Sequence, residues 1–89
     1  MLNNREDGCF FCGRTDRLEL HHIFPGRSGR KLSTEDDFTV WLCHTHHNTP
    51  EGVHYRIQMR RYLQAIAQKQ YEETHSHEEW MQRYGRNYL

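Results

Sequence analysis

Leu42-Cys43-His44-Thr45-His46-His47-Asn48 decides the fold, because it sets one thiol and three imidazoles within five residues of one another. It answers an earlier pair, Cys9-Phe10-Phe11-Cys12, thirty residues upstream. In both pairs, Cys9/Cys12 and Cys43/His46, two residues separate the ligand types. That gap lets one tight turn aim two donors at a single ion, and three thiolates with one imidazole form a common closed tetrahedral set for structural zinc. His46 fits the two-residue gap after Cys43, whereas His44 and His47 are neighbours whose side chains should point elsewhere. A shell closed in this way leaves no position for water, so it stabilises rather than catalyses. The alternative, three buried free cysteines, leaves the paired spacing unexplained.

Composition agrees with a metal staple. A chain of 89 residues makes one domain with a thin margin of stability, and 35% hydrophobic residues do not build a large core. Three cysteines cannot pair off into disulfides, which favours a metal and a reducing compartment. No apolar run approaches membrane-spanning length, and the opening MLNNREDG resembles neither a signal nor a transit peptide, so the expectation is a cytoplasmic protein with no membrane partner. Basic and acidic residues are twelve each, so bulk charge does not announce nucleic acid, and any such binding must come from local patches. Histidine is the unusual residue: eight in all, five of them between positions 21 and 47. It is a common metal ligand and the side chain suited to proton transfer near neutrality.

Working outward, residues 1–53 read as loop-rich and ligand-rich, with strands at Leu18–Leu20 and Phe38–Leu42. Between them Pro25-Gly26-Arg27-Ser28-Gly29 predicts a wide loop. The first strand runs into Leu20-His21-His22-Ile23-Phe24-Pro25. Adjacent strand residues face opposite sides, so His21 and His22 share one site only where the strand bends. One imidazole of such a pair can hold a metal while the other takes a proton from water. His47 follows the second zinc pair, and His54 follows Gly52-Val53. Residues 54–89 read as helical. Met59, Tyr62, Leu63, Ile66, Ala67, Gln70 and Tyr71 recur at helical steps and predict the buried face, with Arg60, Arg61, Gln64, Gln68 and Glu72 opposite. Ser76-His77-Glu78-Glu79 predicts a capping box, Trp80, Met81 and Tyr84 an apolar stripe, and Gly85 a stop, after which Tyr88 and Leu89 can dock.

Taken together, Cys9-x-x-Cys12, Leu20-His-His-Ile23, Leu42-Cys43-x-x-His46-His47-Asn48 and Gly52-Val-His54 resemble the HNH nuclease superfamily, especially its small phage and prophage members. The resemblance extends to the ending Tyr84-Gly85-Arg86-Asn87-Tyr88-Leu89 and so covers nearly the whole chain. It implies an α+β, ββα-metal (His-Me finger) fold, in which two antiparallel strands and a helix clasp a divalent ion, with a zinc-knuckle pair beside it and C-terminal helices. By position His21, His47 and His54 match ligands of the catalytic ion, and His22 the general base. The asparagine in the middle of the family name falls near Phe38, yet none occurs between Ile23 and His47. Asp37 or a backbone carbonyl is the expected substitute.

The implied activity is metal-dependent hydrolysis of DNA phosphodiester bonds, as nicks or double-strand cuts, with Zn2+ as the structural ion and Mg2+, Mn2+, Ni2+ or Zn2+ as the catalytic one. Arg27, Arg30 and Lys31 in the loop after the catalytic strand are expected to meet DNA phosphates, and Arg56, Arg60 and Arg61 form a second basic face. Two rivals compete. A non-catalytic zinc-knuckle nucleic-acid-binding module keeps the cysteines but has no use for clustered His21, His22 and His47. An adaptor docks its Trp80, Met81, Tyr84 and Tyr88 surface onto a larger machine such as phage packaging proteins.

Overall fold

The computed structural model describes residues 1–89 and shows a small α+β domain built on a two-stranded antiparallel ribbon with four helices. Strand β1 (Leu18–His22) pairs with β2 (Thr39–Cys43) in the register Leu18 to Cys43, Leu20 to Trp41 and His22 to Thr39. Alternation therefore puts Glu19, His21, Val40 and Leu42 on one face, and Leu20, His22, Thr39 and Trp41 on the other. Val40, Leu42 and His21 are buried, so the first face looks into the protein. The outer edge of β2 is covered by the N-terminal segment. The Leu2 amide donates to the Thr39 carbonyl, and the Asn3 side chain bonds both backbone groups of Trp41, at 2.8 and 3.2 Å. The outer edge of β1 has no strand partner.

The segment between the strands departs from the sequence reading. In place of a wide loop it forms helix α1 (Gly26–Glu35). Pro25 and two glycines look like breakers, but tertiary contacts override them. Gly29 presses α1 onto the strand exit, where a Cβ would meet the Phe24 carbonyl oxygen at 2.8 Å, and buried Ser33 accepts a hydrogen bond from the Phe24 amide on Oγ. Residues 1–53 are thus less loop-rich than expected, since they also hold α2 (His44–Asn48), which leaves β2 directly.

Helix α3 spans Ile57–Glu72 and α4 His77–Tyr84. The predicted capping box of α4 is present, with the Ser76 hydroxyl accepting from the Glu79 amide and the Glu79 carboxylate accepting from the Ser76 amide. Gly85 ends α4 in the left-handed conformation. The buried face of α3 is rotated from the one predicted: Leu63 and Ala67 are buried as expected, but so are Gln64 and Gln68, while Tyr62 and Gln70 are exposed. Gln68 is drawn inward by the C-terminal tail, donating to Asn87 Oδ1 and accepting from the Tyr88 amide. Tyr88 docks by this route and packs against the core, whereas Leu89 stays exposed. Trp80, fully buried, stacks on Tyr84 at 3.9 Å and lies against Phe24, and its indole N–H donates to the Arg86 carbonyl. Arg83 and Tyr84 both bond Asp36, which fastens α4 to the end of α1. No helix is long and apolar enough to cross a membrane.

Candidate metal centres

Cys9, Cys12, Cys43 and His46 come together, their ligand atoms within 4.8 Å of one another, and can hold a metal such as zinc. The first pair sits on a turn closed by the Gly13 amide on the Cys9 carbonyl and tied to β2 by the Phe10 amide on the Trp41 carbonyl. The second pair spans the junction of β2 and α2, with Cys43 as the N-cap and His46 in the first helical turn. The spacing suits the ion. Zinc–sulfur bonds of about 2.3 Å in a tetrahedron separate two sulfurs by about 3.8 Å and sulfur from nitrogen by about 3.6 Å. Cys12 and Cys43 Sγ lie 3.7 Å apart, and His46 Nδ1 lies 3.2 Å from Cys43 Sγ and 3.8 Å from Cys9 Sγ. Burial raises the Cys9 thiol, but hydrogen bonds from the backbone of Cys43, Cys12 and Phe11 outweigh it and hold its pKa below the ordinary thiol value.

Three other histidines form a second cluster. His21 from β1, His47 from α2 and His54 from the loop before α3 have ring nitrogens within 4.8 Å of one another, near enough for one ion to be held by all three. Ring centroids are 5.2 Å apart for His21 and His47, 5.5 Å for His21 and His54, and 4.7 Å for His47 and His54. His21 is 6% exposed, and its Nε2 is buried with no hydrogen-bond partner. Such an orphan is costly unless something else binds it, and a buried imidazole set beside two more offers what a metal requires. Burial, then the charges of His47 and His54, pushes the His21 pKa down to about 3, so the ring is in its neutral, ligating form.

Gly52 brings His54 back. A Cβ there would meet the His46 carbonyl carbon at 2.5 Å, so only glycine lets the loop after α2 lie this close, with the Val53 amide donating to the His46 carbonyl.

Glu19, which the sequence reading did not single out, organises this cluster. Its carboxylate meets His47 Nδ1 at 2.7 Å, His44 Nδ1 at 2.9 Å and Asn48 Nδ2 at 2.6 Å. Hydrogen bonds from His44, then His47, hold its pKa at about 2. An ionised carboxylate only accepts, so His47 carries its proton on Nδ1 and turns the Nε2 lone pair outward. The available signal was alternation: Glu19 lies two residues before His21 and so on the same face.

His22 is not part of the cluster. Pairing stays regular through His22 to Thr39, so the strand does not bend there and the side chain leaves the opposite face from His21. Burial, and secondarily Arg30, lowers its pKa and favours the neutral ring. The Asp37 carboxylate pairs with the N-terminal ammonium at 2.9 Å. The strand exit is braced by the Phe38 carbonyl, which accepts from the Ile23 amide, and by Ser33. Arg27, Arg30 and Lys31 stand on α1 and not in a loop, at three- and four-residue steps that put them on one exposed face. Compared with known proteins, the chain matches no family model, no curated sequence and no solved structure, so a functional reading rests on these two centres and the residues around them.

Proposed function

We propose that the chain is a metal-dependent endonuclease of the HNH, ββα-metal kind, which hydrolyses DNA phosphodiester bonds. The observation that carries this reading is the convergence of His21, His47 and His54, with the buried His21 Nε2 left unpaired. Three imidazoles leave coordination positions open, as catalytic centres do, whereas the Cys3His cluster is closed and acts as a structural zinc staple. A divalent ion on the three histidines supplies a Lewis acid for the scissile phosphate and charge relief for the leaving oxygen.

The chain's own residues do the rest. Glu19 fixes the His47 ring, and burial keeps His21 neutral. His22, neutral and unligated, takes a proton from the attacking water. In-line displacement needs the nucleophile and leaving group on opposite sides of phosphorus, and His22 and the histidine cluster flank the unpaired edge of β1 from opposite faces of the ribbon. Arg27, Arg30 and Lys31, on the helix that follows, meet flanking phosphates.

Plasmid nicking tests the reading. The wild type should nick with a divalent ion and stop with a chelator, and His22→Ala should lose about 10²- to 10⁴-fold in rate at saturating metal with its zinc retained. Undiminished nicking by His22→Ala removes His22 from its role. DNA binding without nicking in the wild type, across several divalent ions, points instead to a binding module. Arg30→Ala with Lys31→Ala should weaken DNA binding at low salt and make the log–log salt slope shallower by about two, near 0.9 per lost phosphate contact. An unchanged slope moves the contacts elsewhere.

A further inference from the structure

A cleft of about 770 Å³ lies between α1, α3 and the C-terminal tail, and neither the metal ligands nor His22 line it. That volume is typical of small-molecule sites. Its lining combines features seldom found together by chance. Arg60, Arg61 and Arg86 line it and none is engaged by a carboxylate, whereas Arg83, also at the wall, is held by Asp36 and Glu35. Tyr84 and Tyr88 supply aromatic surface, and the Arg86 guanidinium lies 5.7 Å over the Tyr88 ring. Gln64 is the telling residue. It is only 7% exposed, it lines the cleft, and its amide makes no hydrogen bond inside the protein, although its helical neighbour Gln68 is fully paired. That amide is not sealed from solvent, and with no protein partner it offers both a donor and an acceptor to whatever occupies the cleft.

From this we infer that the cleft receives one unstacked nucleotide, its base read by the Gln64 amide against tyrosine surface and its phosphate held by Arg61 and Arg86. Free guanidiniums select phosphate, aromatic rings accept a base by stacking, and a carboxamide matches the paired donor and acceptor on a base edge. Arg60 joins the two regions. It lines the cleft together with Ile57, which begins α3 three residues after His54, so a strand leaving the histidine cluster meets this end of α3 and then the cleft. Resting on the nuclease reading, this names the substrate class as DNA with a single-stranded or displaced segment at the cut, in preference to fully paired duplex. The same nucleotide chemistry is also offered by a free mononucleotide.

Binding is measured on the zinc-containing chain with no other divalent ion, so that no cutting intervenes, using a labelled single strand, the blunt duplex of the same sequence and a deoxynucleoside monophosphate as competitor. The wild type should prefer the single strand, and Arg61→Gln with Arg86→Gln should cost roughly tenfold or more on it while changing duplex binding less than twofold, with zinc content and melting temperature unchanged. Gln64→Leu, similar in volume, should weaken the single strand alone. Equal loss on both DNAs, or none, overturns the cleft as a nucleotide site. Competition by the mononucleotide at the same concentration per nucleotide as the strand keeps the site but overturns the strand as its source. Wild-type nicking, measured separately, tells the two readings apart: cleft binding without nicking refutes the nuclease alone, and nicking indifferent to the cleft variants refutes the cleft alone.

Discussion

His46 and His47 are consecutive on one short helix, yet His46 joins three cysteines and His47 joins two histidines. One helical residue is a turn of about 100°, enough to send neighbouring side chains to separate sites. The two centres differ in donor softness and closure. Thiolates fill the first, and it ties residues far apart in sequence. The second is built from imidazoles, one of them half-oriented by a carboxylate, and has room for another ligand. Their closeness means that the two clusters cannot be assembled independently, because α2 is positioned by both.

The largest effect should come from breaking the closed centre. Structural zinc in small domains contributes about 10 to 16 kcal/mol of apparent binding free energy, comparable to or above the whole stability of a domain this size. Cys43→Ser should therefore abolish zinc binding and cooperative folding, and with them metal binding by the histidines. Zinc analysis with a thermal melt is the check, and a folded, zinc-free variant with an unchanged melt would refute the assignment.

A smaller effect should separate the centres. Glu19→Gln keeps the side chain's shape but no longer holds His47 by a charged acceptor, so affinity of the open site for its ion should fall about 10- to 100-fold, with zinc content unchanged. Titration of Mn2+ or Ni2+ by calorimetry measures this. Loss of zinc in the same variant would mean that Glu19 serves the frame instead.

The smallest effect is a displacement along the pH axis. In the proposed mechanism a neutral His22 is the active form, so kcat/KM for nicking should rise with pH and level off above the His22 pKa. Because burial, then Arg30, lowers that pKa, the midpoint should fall below 6.5, and Arg30→Ala should move it upward. A flat profile from about pH 5 to 8 would exclude a histidine base there.

The two ligand pairs and the capping box of α4 were legible in the sequence because each is local: two donors on one turn, or a hydroxyl and a carboxylate three residues apart. The rest depended on distant partners. Helix α1 was hidden by Pro25, Gly26 and Gly29, whose usual effect is outweighed by packing against Phe24. The inward turn of Gln68 was equally hidden, since apolar spacing says nothing about an amide drawn in by Asn87 and Tyr88. Glu19 reads alone as an ordinary solvent-facing carboxylate, and only the docking of α2 shows what it holds.

The coverage of β2 by Asn3 bears on colloidal behaviour. A two-stranded ribbon exposes two rows of unpaired amides and carbonyls, each a template on which a further strand from another chain can add. Asn3 imitates a strand residue and satisfies both backbone groups of Trp41, so one template is spent within the molecule. The other edge belongs to β1, the strand that carries His21 and His22, and covering it the same way would obstruct the approach to both. Self-association of this protein should therefore nucleate along β1, and a bound substrate lying there would act as an anti-aggregant.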